Sequence, residues 1–143
     1  MLKDKEPPST VKSVMTKPVV TIDKNSSVRR AAEIMSEKGI GCIVVTDKKK
    51  PVGIATERDI LQRVVAKGLD ASKLEMKSIM SKPLVTVKGN TSIIDAIRVM
   101  EKNKMRRLLV MERGKLVGIV TQRDLIHALV FHVIISFRPL LQG

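Results

Sequence analysis

The chain has 143 residues, 43% of them hydrophobic, so it is long enough for one domain or two small halves and too apolar for a disordered chain. Lys and Arg number 27 against 14 acidic residues, and the formal net charge of +13 predicts anionic partners: nucleotide phosphates, nucleic acid or an acidic protein. Aromatic residues are limited to Phe131 and Phe137, which argues against a site in the main body that stacks bases between aromatic rings.

Composition and the chain ends predict a cytoplasmic protein. The single cysteine, Cys42, cannot form an intramolecular disulfide and fits a reducing compartment. Residues 1–8 are charged and contain proline, which does not resemble a secretory signal. The longest apolar stretch, residues 128–135, is interrupted by His132 and is far shorter than the roughly 20 residues of a membrane-spanning helix. We therefore expect no transmembrane segment.

The chain contains an internal repeat, which determines how its elements are assigned. Residues 11–65 align with residues 76–130 at a constant offset of 65: KSVMTKPVVTI matches KSIMSKPLVTV, and PVGIATERDI matches LVGIVTQRDL. We divide the chain into an N-terminal tail (1–10), a first repeat (11–66), a linker (67–75), a second repeat (76–131) and a C-terminal tail (132–143). The linker is too short for much independent motion, so we expect the repeats to pack together.

The first repeat predicts a strand, a helix, two strands and a second helix. Residues 19–22 form a β-branched first strand, and Ser26 and Ser27 are suited to cap a helix that ends at Gly39. Residues 43–45 and 52–55 are apolar strands joined through a polar turn at 47–50. Residues 57–67 form the second helix, which Gly68 closes.

The second repeat follows the same order, with strands at 84–87, 108–111 and 116–120, a helix at 92–102 and a last helix from Gln122 onward. A single unit of this size buries only about 60% of its chain surface. We therefore predict an α/β fold in which two units related by a pseudo-twofold axis pack sheet to sheet and form a cleft for a ligand. A repeat that serves only as a scaffold is the alternative.

One segment of each repeat carries candidate chemistry. It contains Gly53, Thr56, Arg58 and Asp59 in the first copy, and Gly118, Thr121, Arg123 and Asp124 in the second. Thr56 as a helix N-cap with Asp59 as its capping-box acid explains two of these residues without a ligand. The same geometry suits a nucleotide, because a helix N-terminus attracts anions, a carboxylate accepts from a ribose diol, and arginine binds phosphate. The glycine would allow a ligand or another backbone to approach closely.

With this motif present twice, the chain resembles a tandem pair of CBS (cystathionine-β-synthase) domains, also called a Bateman module. The resemblance covers residues 11 to 131, and the V-M-x-x-P opening of each copy (Val14, Met15, Pro18; Ile79, Met80, Pro83) also matches the family. It implies a stand-alone sensor of adenosine ligands: AMP, ADP or ATP, and less often NAD or S-adenosylmethionine. No catalytic cofactor is implied. CBS pairs also commonly form homodimers through their helices.

The resemblance assigns roles to particular residues. It implies that Thr56, Asp59, Thr121 and Asp124 hold the ribose. Phosphates would meet Arg58, Arg123, Arg106, Arg107 and Lys17. An aliphatic slot for the base would be lined by Val20, Thr21, Ile22, Gly41, Cys42 and Ile43, with Val85, Thr86, Val87 and Leu108 as counterparts. Because residues 39–42 are small and neutral whereas 104–107 are bulky and basic, we expect two unequal sites.

Other sequence features give weaker indications of function. Two histidines and one cysteine make a zinc site improbable, and no P-loop, serine elbow or catalytic carboxylate pair is present, so we do not expect an enzyme. Without an effector domain of its own, the chain would act through an unknown effector protein. The basic turn Lys48–Lys50 and the net charge leave a nucleic-acid-binding accessory protein as the second hypothesis. Apolar residues Phe131, Ile134, Ile135 and Phe137 predict a homodimer interface or a poorly ordered end.

Overall fold

Two separate three-stranded sheets organise the chain, each flanked by helices. The computed structural model describes residues 9–82 and 84–137; residues 1–8 and 138–143 of the predicted tails, and Pro83 of the second opening motif, lie outside the described residues. The mixed α/β architecture confirms the predicted fold class. The first unit spans Val19–Leu84, and the second unit combines the described residues up to Pro18 with those from Val85 onward.

In the first unit, β1 (Thr21–Asp23) leads to α1 (Val28–Lys38), followed by β2 (Cys42–Asp47), β3 (Lys50–Thr56) and α2 (Glu57–Ile60). The sheet order is β1-β2-β3, with β1 parallel and β3 antiparallel to β2.

The second unit repeats this arrangement. Its elements are β4 (Thr86–Val87), α3 (Ile93–Asn103), β5 (Arg107–Glu112), β6 (Lys115–Thr121) and α4 (Gln122–Ser136). The sheet order is β4-β5-β6, with the same parallel and antiparallel pairings as in the first unit.

The predicted element order is correct, but several boundaries differ. The first strand of each repeat begins two residues later than predicted, because Val20 and Val85 contribute only a carbonyl to the neighbouring strand (Val44 N to Val20 O 3.1 Å, Leu109 N to Val85 O 3.0 Å). The helix predicted over residues 57–67 is not a continuous α-helix. It widens into a π-helical turn at Leu61–Val65, where Ala66 N donates to Leu61 O at 2.8 Å.

Each unit combines the sheet of one repeat with the opening segment of the other repeat. In the second unit, the 3-10 turn at Val11–Ser13 is hydrogen-bonded to the segment just before α3, where Val11 N donates to Thr91 O at 2.9 Å. Thr16 forms an antiparallel bridge with Ile119 of β6. In the first unit, the 3-10 turn Met76–Ser78 occupies the same position, and Ser81 bridges Ile54 of β3. The structural units are therefore offset from the sequence repeats.

The apolar cores explain why the opening segments are held. Val11 is fully buried beside Leu108, Val120 and Leu125 of the second unit. Met76 is fully buried in the equivalent core of the first unit. Among the described residues, no helix is long and apolar enough to cross a membrane.

Candidate functional site

The two threonine–aspartate motifs form the same capping box at the start of a helix. Thr56 accepts a hydrogen bond from Asp59 N at 3.1 Å, and the Asp59 carboxylate accepts from Thr56 N through Oδ2 at 2.9 Å. Thr121 and Asp124 repeat these bonds at 3.2 and 2.9 Å. The capping role is thus confirmed, and in each motif it uses one carboxylate oxygen while leaving Oδ1 outside the box.

The residues that precede β2 and β5 lie directly beside these helix ends. Glu57 N donates to Gly41 O at 3.0 Å, and Gln122 N donates to Arg106 O at 2.8 Å. In the antiparallel ladders, Cys42 is the register partner of Thr56 and Arg107 is the register partner of Thr121. The structure therefore brings residues from two distant stretches of each repeat to the start of one helix.

The motif glycines make room for methionine side chains. A Cβ atom built on Gly53 would collide with the Sδ of Met80, and one built on Gly118 would collide with the Sδ of Met15. This corrects the expectation that Gly53 admits a ligand or another backbone. It also gives a physical reason for the methionine in each V-M-x-x-P opening, because each opening segment packs on the glycine of the opposite repeat.

The surroundings of the two aspartates differ. In the first unit, Oδ1 of Asp59 accepts from Ser81 Oγ at 3.3 Å and lies 3.8 Å from Nη2 of Arg63. In the second unit, no hydrogen bond or ion pair among the described residues reaches Oδ1 of Asp124. At the positions equivalent to Arg63 and Ser81, the second unit has Ala128 and Thr16.

The predicted phosphate-binding residues are distributed unevenly. Lys17, Arg106, Arg107 and Arg123 all belong to the second unit, and only Arg58 belongs to the first. All are exposed except Arg107, which is half-buried. The Nε of Arg107 is buried and has no hydrogen-bond partner among the described residues. A buried donor without a partner is costly.

The residues predicted for a base slot fall into two groups. Three of them are core residues with little or no accessible surface: Ile22, Ile43 and Leu108 are 7%, 1% and 0% exposed. Their side chains pack in the cores of their own units and are not available to a ligand. The others are half-buried or exposed and remain accessible, namely Val20, Thr21, Gly41, Cys42, Val85, Thr86 and Val87.

Sequence reasoning did not identify Arg63, Ser81 or Thr16. Ser81 and Thr16 occupy equivalent positions in the opening motifs, so their duplication was a usable signal. Arg63 follows Asp59 by four residues, which is the spacing of an ion pair along a helix. Here Arg63 lies within the π-helical turn. The described residues contain no cluster of three or more His, Cys, Asp or Glu side chains that could hold a metal ion.

Comparison with known proteins gives a consistent picture. A model of the CBS domain matches residues 11–66 and 76–131. The chain is 36% identical over 117 residues to the CBS domain-containing protein YhcV of Bacillus subtilis, covering 82% of this chain and 83% of that protein. It is 34% identical over 116 residues to a protein of Methanocaldococcus jannaschii, covering 79% of this chain.

The chain spans less than two thirds of the length of two of the relatives that it matches. It spans 62% of the Methanocaldococcus jannaschii protein and 61% of a Methanopyrus kandleri protein. Among solved structures, it is similar to a hexameric CBS-CP12 protein from bloom-forming cyanobacteria, with a TM-score of 0.76 and 30% identity. That match covers 85% of this chain and 73% of the other.

Proposed function

The chain belongs to the family of proteins with tandem CBS domains, and on this premise we propose that it is a regulatory sensor of an adenine nucleotide: AMP, ADP or ATP. Tandem CBS modules commonly bind adenosine ligands and are typically regulatory rather than catalytic. The observation that carries the proposal is the duplicated capping box. One aspartate oxygen caps the helix, and in the second unit no described residue reaches the other oxygen by a hydrogen bond or ion pair.

The ribose is recognised through the free carboxylate oxygen of the motif. In the second unit, Oδ2 of Asp124 is held by Thr121 N, which fixes the orientation of the carboxylate. Oδ1 then accepts a hydrogen bond from a ribose hydroxyl, and a charged acceptor makes this bond stronger than a neutral one would. The capping and binding roles are therefore compatible in one residue.

Phosphates are recognised by the cations around the same helix end. Arg106 precedes β5 and Arg107 is its first residue, while Arg123 lies in the first turn of α4. The N-terminal end of the α4 dipole adds partial positive charge. Val85, just before β4, and Val87, within β4, are half-buried aliphatic residues. They support a slot that holds the base without aromatic stacking.

Regulation follows if ligand binding favours one state of the module over another. A ligand shifts such an equilibrium only by its difference in affinity for the two states. The proposed output is an effector protein, whose identity the chemistry of the site does not specify.

The first test is a thermal-shift panel with AMP, ADP, ATP, NAD, S-adenosylmethionine and GTP. A ligand at about 100 times its dissociation constant stabilises the folded state by roughly 2.7 kcal/mol. We expect one adenine ligand to raise the Tm of the wild type and to leave the Asp59→Ala/Asp124→Ala double variant unchanged. If no ligand shifts the wild type, the motifs are helix caps only.

The control must account for the lost caps, because removing a capping carboxylate itself lowers stability. Each variant is therefore compared with and without ligand. Asp95→Ala is the matched control, since Asp95 is an exposed acidic residue in the first turn of α3 and makes an ion pair with Arg98. It should keep the full ligand-induced shift.

We also propose that the protein forms a homodimer through α4. Exposed apolar residues recur along one stripe of this helix and its C-cap residue: Ile126, Val130, Val133, Ile134 and Phe137. The stripe replaces the predicted set in part, because Phe131 and Ile135 are half-buried. Contiguous apolar surface of this kind favours association with a partner, and self-association is supported by a related protein described as hexameric.

Nucleic-acid binding is the second candidate function, and one observation favours it. Lys48, Lys49 and Lys50 are all exposed at the tip of the β2–β3 hairpin, in a chain with a net charge of +13. Binding through backbone phosphates would fall steeply as salt concentration rises. A duplex DNA or RNA titration at two salt concentrations checks this, with Lys48→Ala/Lys49→Ala/Lys50→Ala as the variant; binding that this variant retains would argue against the hairpin.

A further inference from the structure

Both carboxylate oxygens of Asp59 already have protein neighbours. Its Oδ2 accepts from Thr56 N at 2.9 Å, and its Oδ1 accepts from Ser81 Oγ at 3.3 Å and lies 3.8 Å from Arg63 Nη2. The side chain of Asp59 is 15% exposed. A ribose hydroxyl that approached Oδ1 would compete with the serine hydroxyl and the arginine for this oxygen.

Arg63 is held in this position by a second set of contacts. Its Nη1 donates to the backbone carbonyl oxygens of Ile79 at 2.8 Å and of Met80 at 3.3 Å. These carbonyls belong to the opening segment that also supplies Ser81. Because a guanidinium presents its donors in a rigid fork, the carbonyl contacts orient the group that faces Asp59. The cation is thus tethered at two points.

The second unit has no arginine at the position equivalent to Arg63. Ala128 stands where the first unit has Arg63, and it is 3% exposed in the core around α4. No described residue contacts Oδ1 of Asp124 by a hydrogen bond or ion pair. The same unit carries the buried, unpartnered Nε of Arg107. It therefore offers a sugar hydroxyl a carboxylate oxygen that no described residue contacts by a hydrogen bond or ion pair.

The charges next to the two helix ends differ in the same direction. Where the second unit has Arg106, Arg107 and Gln122, the first unit has Gly41, Cys42 and Glu57. A Cβ atom on Gly41 would lie 3.5 Å from Oε1 of Glu57, so an acidic side chain lies close to this strand end. A polyphosphate is repelled by such a carboxylate and attracted by the arginines of the second unit.

We propose that the two motifs bind nucleotide unequally: the Asp124 motif is the primary site, and Arg63 acts as an internal competitor that keeps the Asp59 motif closed. This inference rests on the proposed function and names which site carries it. Arg63 is then a specificity-determining residue, since exchanging it for the alanine found in the other repeat should open the second site.

The test is isothermal titration of the full chain with AMP, ADP and ATP in separate experiments. We expect one strong site per chain in the wild type. Losing a hydrogen bond to a charged group costs a factor of about ten or more, so Asp124→Ala should weaken this site at least that much. Asp59→Ala should change the affinity less than about twofold.

Arg63→Ala provides the decisive variant. It should raise the number of bound nucleotides from one to two per chain, and Arg63→Ala/Asp124→Ala should bind one nucleotide through the opened Asp59 motif. Arg98→Ala is the control, because Arg98 also pairs with an aspartate in its own helix but belongs to neither motif. Circular dichroism verifies that each variant remains folded, and Arg63→Lys gives a milder change if the alanine variant unfolds.

The outcomes separate this inference from the proposed function. Equal losses from Asp59→Ala and Asp124→Ala, or an unchanged stoichiometry in Arg63→Ala and Arg63→Lys, overturn the inference and leave nucleotide sensing intact. Absence of heat and of thermal shift with all three nucleotides overturns the sensing function, and the inference with it.

Discussion

Gly39 and Gly53 illustrate two different reasons for a glycine at the scale of single residues. Gly39 has a φ of +63° and ends α1, and a Cβ atom there would meet nothing within 4 Å. Its backbone conformation is what favours glycine. Gly53 has an ordinary φ, but Met80 fills the space that a side chain would need. The sequence pattern marks both residues, and only the packing separates the two causes.

Gly118→Ala should destabilise the protein by about 1–3 kcal/mol, because the added methyl group overpacks the contact with Met15. Chemical denaturation measures the change. Met15→Ala removes the side chain that collides, so the double variant should be more stable than the sum of the two single changes predicts. Strict additivity would show that the methionine is not the cause of the cost.

The C-terminal ends of the equivalent helices α1 and α3 show a similar contrast at the level of elements. α1 ends at Gly39, whereas α3 ends at Lys104 with a φ of +53°. Both residues donate to carbonyls of the last helical turn, so the two helices end in the same left-handed conformation. This conformation is strained for Lys104, which has a side chain, and unstrained for Gly39. The tight β-hairpins follow this pattern, with Lys49 at the position of Gly114.

Lys104→Gly should therefore stabilise the protein by roughly 1 kcal/mol, because a left-handed conformation costs about that much in a residue with a side chain. The midpoint of urea unfolding reports the gain. Gly39→Lys is the matched reverse change and should cost a similar amount. A loss of stability in Lys104→Gly would mean that the lysine side chain makes a contribution larger than the backbone cost.

At the scale of the whole molecule, the exchange of opening segments makes each unit depend on both repeats. Val11 is the first residue of the first repeat but is buried in the second unit, while Met76 is the first residue of the second repeat and is buried in the first unit. In each unit, one repeat supplies the sheet and the capping box, and the other repeat supplies the methionine that packs against the motif glycine. A complete unit therefore requires both repeats.

Val11→Ala should destabilise the chain by about 2 kcal/mol through lost burial and a residual cavity. Native-state hydrogen exchange should show faster exchange in β5 and β6 than in β2 and β3. Met76→Ala is the paired variant and should show the opposite order. If Val11→Ala instead loosens β2 and β3 first, the assignment of the opening segment to the second unit is wrong.

The α4 stripe gives the prediction for assembly. Val133 is 55% exposed, so Val133→Glu should leave the folded chain intact and place a charge in the proposed interface. Sedimentation should show a dimer for the wild type and a monomer for this variant. Leu69→Glu is the control, because Leu69 is 49% exposed outside α4 and should not affect association. A monomeric wild type would contradict the proposal.

The repeat, the order of elements and the capping motifs could be predicted from the sequence, because these depend on local patterns: short apolar runs, Ser27 and Ser92 before helices, and Thr56 three residues before Asp59. The remaining features arise only in the folded chain. The exchange of opening segments, the role of Gly53 and the capture of Asp59 by Arg63 and Ser81 depend on contacts between residues far apart in the chain. Two repeats that look alike in sequence acquire different sites because a few substituted residues meet different neighbours after folding.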